Sequence, residues 1–207
     1  MEDVRSLKAL QLDALREVAN IGAGHAATAL SQMTSRTIMI KVPEVNVRPL
    51  EAVPDLLGSP ADVIAAVLMH MMGDLTGRTL IVFPERSARN LCDILLRRPA
   101  GTTTTFGAME QSGLKEVGNI LISAYLTALS DFMGMMLVPS VPSLTLDTAG
   151  AILTTTYLNF GHERDYVFCV ETAFEVAGAA HEQLEGHFLL LPDMPSLRAI
   201  FDAIRVG

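Results

Sequence analysis

The sequence of 207 residues lacks tryptophan and has two cysteines, Cys92 and Cys169, which stand far apart and form no C-x-x-C pair. This scarcity excludes a disulfide framework and a cysteine-rich zinc site, and it favours a reducing compartment such as the cytoplasm. Long apolar runs are missing as well, because stretches such as residues 63–69 fall far short of the ~20 residues that span a bilayer. The charged N-terminal residues do not resemble a secretory signal. We therefore expect a cytoplasmic protein without membrane insertion.

Basic residues are also scarce. The chain has 15 Lys and Arg against 23 Asp and Glu, which gives a formal net charge of −8. No cluster of Lys and Arg stands out, so binding to nucleic acid or to an anionic membrane surface is not expected. Half of the residues are hydrophobic and only 18% are charged, which argues against disorder and for a folded domain with a sizeable core.

The first half of the chain recurs in the second half. A shift of 99 positions aligns the first half with the second without a gap over the first helix, and a shift of 109 aligns the later parts. Identical pairs at the first shift include Leu15 and Leu114, Glu17 and Glu116, Val18 and Val117, Asn20 and Asn119, and Pro43 and Pro142. The sequence therefore predicts one domain of two repeats, about 6–98 and 109–207, joined by a Thr-rich linker. The second repeat carries about ten extra residues, which we place near residues 159–165.

Each repeat reads as a helix, several strands and a closing helix, which predicts an α+β fold with helices packed on a largely antiparallel β-sheet and with pseudo-two-fold symmetry. The predicted helices are residues 6–33, 84–97, a segment opening at Met109, and a terminal helix after Pro195. The predicted strands are residues 37–42, 63–71 (with a helix as the alternative), 79–83, 135–139, 151–158, 167–176 and 187–191.

Both repeats place the same polar stripe on their first helix, as the 3.6-residue period of a helix shows. The stripe consists of Asp13, Glu17 and Asn20 in the first repeat and of Ser112, Glu116 and Asn119 in the second. The opposite side of each helix is predicted to face the core. Its residues are Leu12, Leu15, Val18, Gly22, Ala26 and Met33, and then Leu114, Val117, Leu121, Tyr125 and Phe132.

Polar residues on the outer side of an amphipathic helix are ordinary, and a solvated surface explains one such stripe. The recurrence of Glu and Asn at one register in both repeats is harder to explain in that way, because Asn is a poor helix former. No His or Cys accompanies the pair, and a Ser stands in only one of the two stripes, so nucleophilic catalysis is not indicated. A carboxylate with one amide is a weak metal site. An amide suits the positioning of a water for attack on phosphorus, and a carboxylate suits an ion pair with a partner protein.

In both repeats a proline follows the Asn after 23 residues. The stripe together with this proline resembles the motif of the CheC/CheX/FliY phosphatases of chemotaxis. That motif reads Asp or Ser, three residues, Glu, two residues, Asn, about twenty-two residues and Pro. The matching residues are Asp13, Glu17, Asn20 and Pro43, and then Ser112, Glu116, Asn119 and Pro142. The presence of two motifs resembles the CheC branch, since CheX is shorter with one motif and FliY carries a further C-terminal domain.

The resemblance implies hydrolysis of the aspartyl phosphate of the response regulator CheY, which brings its own Mg²⁺. It assigns orientation of the attacking water to Asn20 and Asn119, and pairing with a lysine of CheY to Glu17 and Glu116. The remaining motif residues, Asp13 and Ser112, would support the site from one turn earlier. It also implies a second partner, the receptor deamidase CheD. No metal or cofactor bound by the chain itself is expected, and a monomer is expected because the repeats already supply two sites.

An alternative from another functional class stays open. The same fold could serve a non-enzymatic adaptor that sequesters phosphorylated CheY or regulates CheD, with the motifs used for docking alone. A dinucleotide-binding reading of Gly22, Gly24 and Ala27 is disfavoured, because the strand that must precede such a turn is replaced by a predicted helix. Close helix packing by small residues is the expected use of that segment.

Overall fold

A computed structural model describes residues 9–49, 52–53, 56–158, 166–177 and 184–206. The helices are α1 (Ala9–Thr34), α2 (Glu85–Leu95), α3 (Ala108–Met133), α4 (Ala149–Leu158) and α5 (Met194–Val206). The strands are β1 (Ile38–Lys41), β2 (Val45–Pro49), β3 (Val63–Gly73), β4 (Gly77–Pro84), β5 (Leu137–Pro139), β6 (Ser143–Thr148), β7 (Tyr166–Val176) and β8 (Leu184–Pro192). The α+β class is confirmed, with helices packed against one antiparallel sheet.

The sheet is built by exchange of strands between the two halves of the chain. Its order in the described residues is β1-β7-β8-β4-β3-β5, with β2 also paired to β7 and β6 also paired to β3, and every pairing is antiparallel. The edge strands β1 and β2 of the first half therefore complete β7 of the second, while β5 and β6 of the second half complete β3 of the first. Each half therefore contributes edge strands that pair with a strand of the other half, and the two halves share one sheet.

The order of elements is the same in both halves. A helix, four strands and a helix run from α1 to α2, and the same order runs from α3 to α5 with α4 added between β6 and β7. The two long helices α1 and α3 have 26 residues each. The internal duplication and its symmetry stay predictions from the sequence, and residues 159–165, where the extra residues are expected, lie outside the described residues.

One predicted strand is wrong. The threonines of residues 151–158 favour β-structure, but these residues belong to the helix α4. The buried side chains of α4 that contact the sheet are Ala149, Ile152 and Leu153, a helical spacing, and the Thr155 hydroxyl donates to the Ala151 carbonyl one turn earlier (2.9 Å). Burial against the sheet overrides the β propensity of the threonines. The alternative helix for residues 63–71 is also wrong, and strands β2 and β6 are absent from the sequence prediction.

The core has two layers, one on each face of the sheet. Helices α1, α2, α3 and α5 cover one face, whereas α4 and residues around Val53 and Leu57 cover part of the other. Two side chains predicted to face the core, Met33 and Phe132, are exposed by 37% and 40%. Both lie in the last turn of their helix, beyond the last buried leucines, Leu30 and Leu129.

The two long helices touch where α1 has a glycine. A Cβ placed on Gly22 would lie 2.8 Å from Tyr125 Cδ1 and 3.0 Å from Tyr125 Cα on α3. No such contact exists at Gly24, which is exposed and where an added Cβ would have nothing within 4 Å. The expected close packing is therefore confirmed at Gly22 and is wrong for Gly24.

This difference gives a matched pair of substitutions. Gly22→Ala is expected to lower the free energy of unfolding by about 1–3 kcal/mol, because the added methyl group forces α1 away from α3. The control Gly24→Ala is expected to be neutral or to stabilise by up to about 1 kcal/mol, because alanine favours an exposed helix position. Urea denaturation followed by circular dichroism measures both. Equal effects of the two substitutions would contradict the packing role of Gly22.

The Thr-rich linker is fixed to α2 by one buried carboxylate. Asp93 accepts hydrogen bonds from the Thr103 N–H (2.9 Å), the Thr103 hydroxyl (2.6 Å) and the Thr102 N–H (3.1 Å). At the start of α3, Glu110 accepts a hydrogen bond from the Arg98 guanidinium (2.6 Å). These contacts determine where α3 begins relative to α2, and so they position the second stripe.

Removal of the Asp93 carboxylate is expected to lower the free energy of unfolding by about 2 kcal/mol or more, because buried donors of the linker lose their acceptor. Asp93→Ala tests this in a thermal or urea melt. The control is Asp202→Ala, since Asp202 is the counterpart of Asp93 at the shift of 109 and is exposed on α5. If Asp93→Ala unfolds at the same denaturant concentration as the control, the linker is held by other contacts.

Candidate functional site

The stripe of the first repeat lies on the outer side of α1. Asp13, Glu17 and Asn20 are all exposed, while Leu15 and Val18 on the opposite side are buried in the core. An amphipathic helix packed on a sheet must turn its polar side outward, so the local sequence decides this orientation. The Glu17 carboxylate and the Asn20 amide are therefore free to meet a partner molecule.

The stripe of the second repeat lies on α3 in a slightly different setting. Ser112 and Glu116 are exposed, but Asn119 is half-buried. The neighbouring Gly118 explains the close approach of α3 to the sheet, because a Cβ there would lie 2.5 Å from Val67 Cγ1. The counterpart of Gly118 in α1 is Ala19, whose methyl group is buried in the core. The two asparagines thus differ in accessibility although their helical registers are the same.

A groove of about 780 Å³, which we name the α1 groove, opens beside the first stripe. Arg16 and Asn20 of α1 line it on one side, residues 40–43 at the end of β1 on another, and residues 171–173, 175 and 185–187 of β7 and β8 along the sheet. Pro43, the distant proline of the motif, therefore lies at the same groove as Asn20. Pro142 occupies the corresponding place between β5 and β6.

Three glutamates give the sheet side of the α1 groove its acidic character. These are Glu171, Glu175 and Glu185, and Lys41 forms an ion pair with Glu175. Burial lowers the pKa of His187 below its ordinary value, against the opposing effect of the Glu171 and Glu185 carboxylates, so this imidazole is neutral at pH 7. Its Nδ1 has no hydrogen-bond partner in the described part of the chain.

A buried hydrogen bond connects the floor of the groove to α3. The Tyr125 hydroxyl on α3 lies 3.1 Å from the Thr172 hydroxyl, and Thr172 lines the α1 groove. Burial raises the pKa of Tyr125 to about 12, although the hydrogen bond with Thr172 acts in the opposite direction. The phenol is therefore a neutral packing residue, and it is no candidate for acid–base work at neutral pH.

The two cysteines and the possible metal ligands among the described residues are the alternative sites. Burial raises the pKa of both Cys92 and Cys169 to about 12, so neither thiol is ionised at neutral pH. Within residues 9–49, 52–53, 56–158, 166–177 and 184–206, no group of three His, Cys, Asp or Glu side chains is arranged to hold a metal ion. None of the described helices is long and apolar enough to cross a membrane. The prediction that the chain binds no metal or cofactor of its own stays a prediction.

The sequence predicted the stripe residues but missed the sheet side of the groove. His187 is one of several scattered histidines without a metal-binding spacing, and the three glutamates have no recognisable pattern. They meet only because β7 and β8 pair, with Glu171 opposite His187. The segment from Gly22 to Ala27 lies wholly inside α1, so it forms no strand-to-helix turn for a nucleotide.

Comparisons with known proteins agree with these motifs. A sequence model described as the CheC-like family matches residues 10–47 and 109–146, which contain the two polar stripes and the two prolines. The chain is 34% identical to the CheY-P phosphatase CheC of Bacillus subtilis over 207 residues, which cover 99% of this chain and 98% of that protein. It is 25% identical to the flagellar motor switch phosphatase FliY of Bacillus subtilis over 70% of this chain and 38% of that protein.

The fold is shared with a solved structure as well. The crystal structure of FliY from Thermotoga maritima superposes with a TM-score of 0.80 over 97% of this chain and 98% of that one, at 19% sequence identity. At that level of identity the likeness shows the fold alone. The 34% identity to a CheC protein over almost the full length, together with the two matches to the family model, shows the family. The chain belongs to the CheC-like family.

Proposed function

We propose that this protein is a chemotaxis phosphatase that hydrolyses the aspartyl phosphate of the response regulator CheY. The observation that carries the proposal is the Glu-x-x-Asn pair on the outer side of both long helices, in a chain similar throughout to a CheY-P phosphatase. Asp13 and Glu17 lie outside the lining of the α1 groove, so the stripe as a whole is not enclosed as a small-molecule site would be. It suits a folded protein partner that brings its own phosphate.

The amide of Asn20 or Asn119 orients the attacking water. A neutral amide offers both an acceptor and two donors on a short arm, so it holds a water in line with phosphorus without needing a charge. An acyl phosphate is already reactive, and phosphoryl transfer demands positioning more than covalent help. A hundredfold acceleration requires only about 2.7 kcal/mol, which an oriented water can supply.

The carboxylates of Glu17 and Glu116 pair with a lysine of CheY and fix the register of docking. Asp13 and Ser112 support the stripe from one turn earlier. The magnesium ion belongs to the substrate, where it stays on CheY and neutralises the phosphoryl group. No general base from this chain is required, because an acyl phosphate is already reactive, and no proton donor is required, because the leaving carboxylate is a weak base.

The two sites are expected to contribute unequally. Asn20 is exposed and lines the α1 groove, whereas Asn119 is half-buried. Ser112 also replaces the acidic residue of the first stripe. We therefore assign the larger share of activity to the site on α1.

The direct test is the decay of radiolabelled phospho-CheY with Mg²⁺, with and without catalytic amounts of this protein. Faster decay over many turnovers supports the phosphatase. An unchanged decay, together with stoichiometric binding of phospho-CheY, supports instead the non-enzymatic adaptor that sequesters it. The family resemblance also leads us to propose that the protein works in the cytoplasm and binds the receptor deamidase CheD. Addition of CheD to the same assay tests whether that partner changes the rate. Co-elution of the two proteins in size-exclusion chromatography tests whether they bind.

A further inference from the structure

A basic residue stands immediately before the glutamate in both stripes. Arg16 precedes Glu17 and Lys115 precedes Glu116, and the two basic residues are 99 positions apart like the rest of the motif. Each lies four residues before its asparagine, Asn20 or Asn119. Residues four apart on a helix are neighbours on one face, so a cation lies one turn from each amide.

Neither cation makes a polar contact with the described part of the chain. Arg16 is exposed and Lys115 is half-buried. Lys41 pairs with Glu175, Arg89 with Glu85 and Arg98 with Glu110, whereas Arg86 and Arg198, like Arg16 and Lys115, make no ion pair with a described residue. What distinguishes Arg16 and Lys115 is that they recur at one register in both repeats, one turn before each asparagine, and this recurrence points to a shared use.

Arg16 lies beside the asparagine that is proposed to orient water for attack on the phosphoryl group. Arg16 and Asn20 line the same α1 groove, at the place where Pro43 also lies. A phosphorylated partner presents a phosphoryl group with two negative charges, while this chain has a net charge of −8 and carries Asp13 and Glu17 in the same stripe. The magnesium ion of the partner offsets part of this charge, and a cation on α1 would offset the repulsion between these carboxylates and the phosphoryl oxygens that face the helix.

We infer that Arg16 and Lys115 donate hydrogen bonds to the phosphoryl oxygens of the docked partner, each serving the asparagine of its own helix. The inference rests on the proposed phosphatase function. In the reaction, the oxygen of water forms a bond to phosphorus while the bond from phosphorus to the aspartyl oxygen breaks. The bonding electrons leave with the aspartate as a free carboxylate, and both hydrogens of water end on inorganic phosphate, H₂PO₄⁻.

The charge on the equatorial phosphoryl oxygens is what a cation stabilises in such a loose transition state. A guanidinium or an ammonium held one turn from the amide acts on those oxygens while the amide acts on the water. The position before the glutamate is Arg in one repeat and Lys in the other, which favours a need for positive charge over a need for a fixed fork of donors.

The test is the double variant Arg16→Gln plus Lys115→Gln, which removes two charges from exposed or half-exposed helix positions. Its kcat for phospho-CheY hydrolysis is expected to fall by about tenfold or more, as for the loss of a donor to a developing anion, while its affinity for unphosphorylated CheY is expected to stay within about twofold of wild type, because no phosphoryl group is present there. The conservative pair Arg16→Lys plus Lys115→Arg is expected to keep most of the activity.

The matched control is Arg86→Gln plus Arg198→Gln, which removes the same net charge from exposed positions on α2 and α5. Its kcat is expected to equal that of wild type, and circular dichroism shows whether all variants are folded. An unchanged kcat for the Arg16 and Lys115 variant would overturn the inference and leave the phosphatase proposal standing. The inference would also be overturned if the Arg16 and Lys115 variant lost only kcat/KM, if the control variant lost as much, and if added salt removed the difference from wild type. That pattern would show long-range electrostatic attraction of CheY. If wild type itself does not accelerate decay, both proposals fail together.

Discussion

The double variant Asn20→Ala plus Asn119→Ala is expected to lose at least about 100-fold in the rate of phospho-CheY hydrolysis, since loss of the oriented water returns the reaction close to its spontaneous rate. Affinity for phospho-CheY is expected to stay within about twofold of wild type, because a short neutral amide contributes little to docking compared with charged neighbours. Turnover and binding therefore separate in this variant.

Single-turnover decay of phospho-CheY and a binding titration measure the two quantities. The single variants divide the activity between the sites, and Asn20→Ala is expected to cause the larger loss, because Asn20 is exposed at the α1 groove and Asn119 is half-buried. Asn90→Ala on α2 is the control, because Asn90 lies outside both stripes. Full activity in the double variant would show that neither amide positions the water, and a larger loss from Asn119→Ala would contradict the order of the sites.

The outward side of each long helix could be predicted from the sequence because a helix places residues by local spacing alone. Leu15 and Val18 had to face the core, so Glu17 and Asn20 had to face outward, and the structure places them there. The recurrence of the pair after 99 residues then favoured a functional stripe over an ordinary solvated surface, and that role stays a prediction. The first step depends on neighbours within one turn of a helix and the second on comparison of the two halves of the sequence, so neither needs knowledge of tertiary structure.

The sheet side of the site could not be predicted, because it depends on contacts between distant parts of the chain. Asn20 shares the α1 groove with His187, which lies in β8, and the two meet only after β1 of the first half pairs with β7 of the second. Exchange of edge strands leaves no trace in local periodicity, because hydrophobic alternation does not name a partner strand.

The strand predicted for residues 151–158 failed for a related reason. Three consecutive threonines, residues 154–156, favour β-structure locally, but Ile152 and Leu153 are buried in the layer of α4 on the sheet. A short apolar run is ambiguous between strand and helix until its partner surface is known. Gly118 is the opposite case, since only the observed contact with Val67 explains why glycine replaces the alanine of the first repeat.

The double variant Glu17→Gln plus Glu116→Gln is expected to weaken docking rather than chemistry. Each substitution removes a charge and keeps the shape of the side chain, so a lysine of CheY loses its partner while the asparagine stays in place. Because a desolvated ion pair across an interface contributes substantially to affinity, the KM for phospho-CheY is expected to rise by about tenfold or more, with a much smaller change in kcat.

Three measurements make this prediction specific. The control Asp131→Asn plus Asp202→Asn removes two negative charges from exposed positions on α3 and α5 and is expected to leave KM unchanged. A lysine-to-methionine substitution in CheY at the paired position is expected to raise KM in wild type but not in the glutamate variant, because the two changes remove the same contact. The sign of the salt effect adds a third criterion: KM rises with ionic strength in wild type and less in the variant. If KM stays at the wild-type value while kcat falls, the carboxylates act on the reacting groups and not on docking.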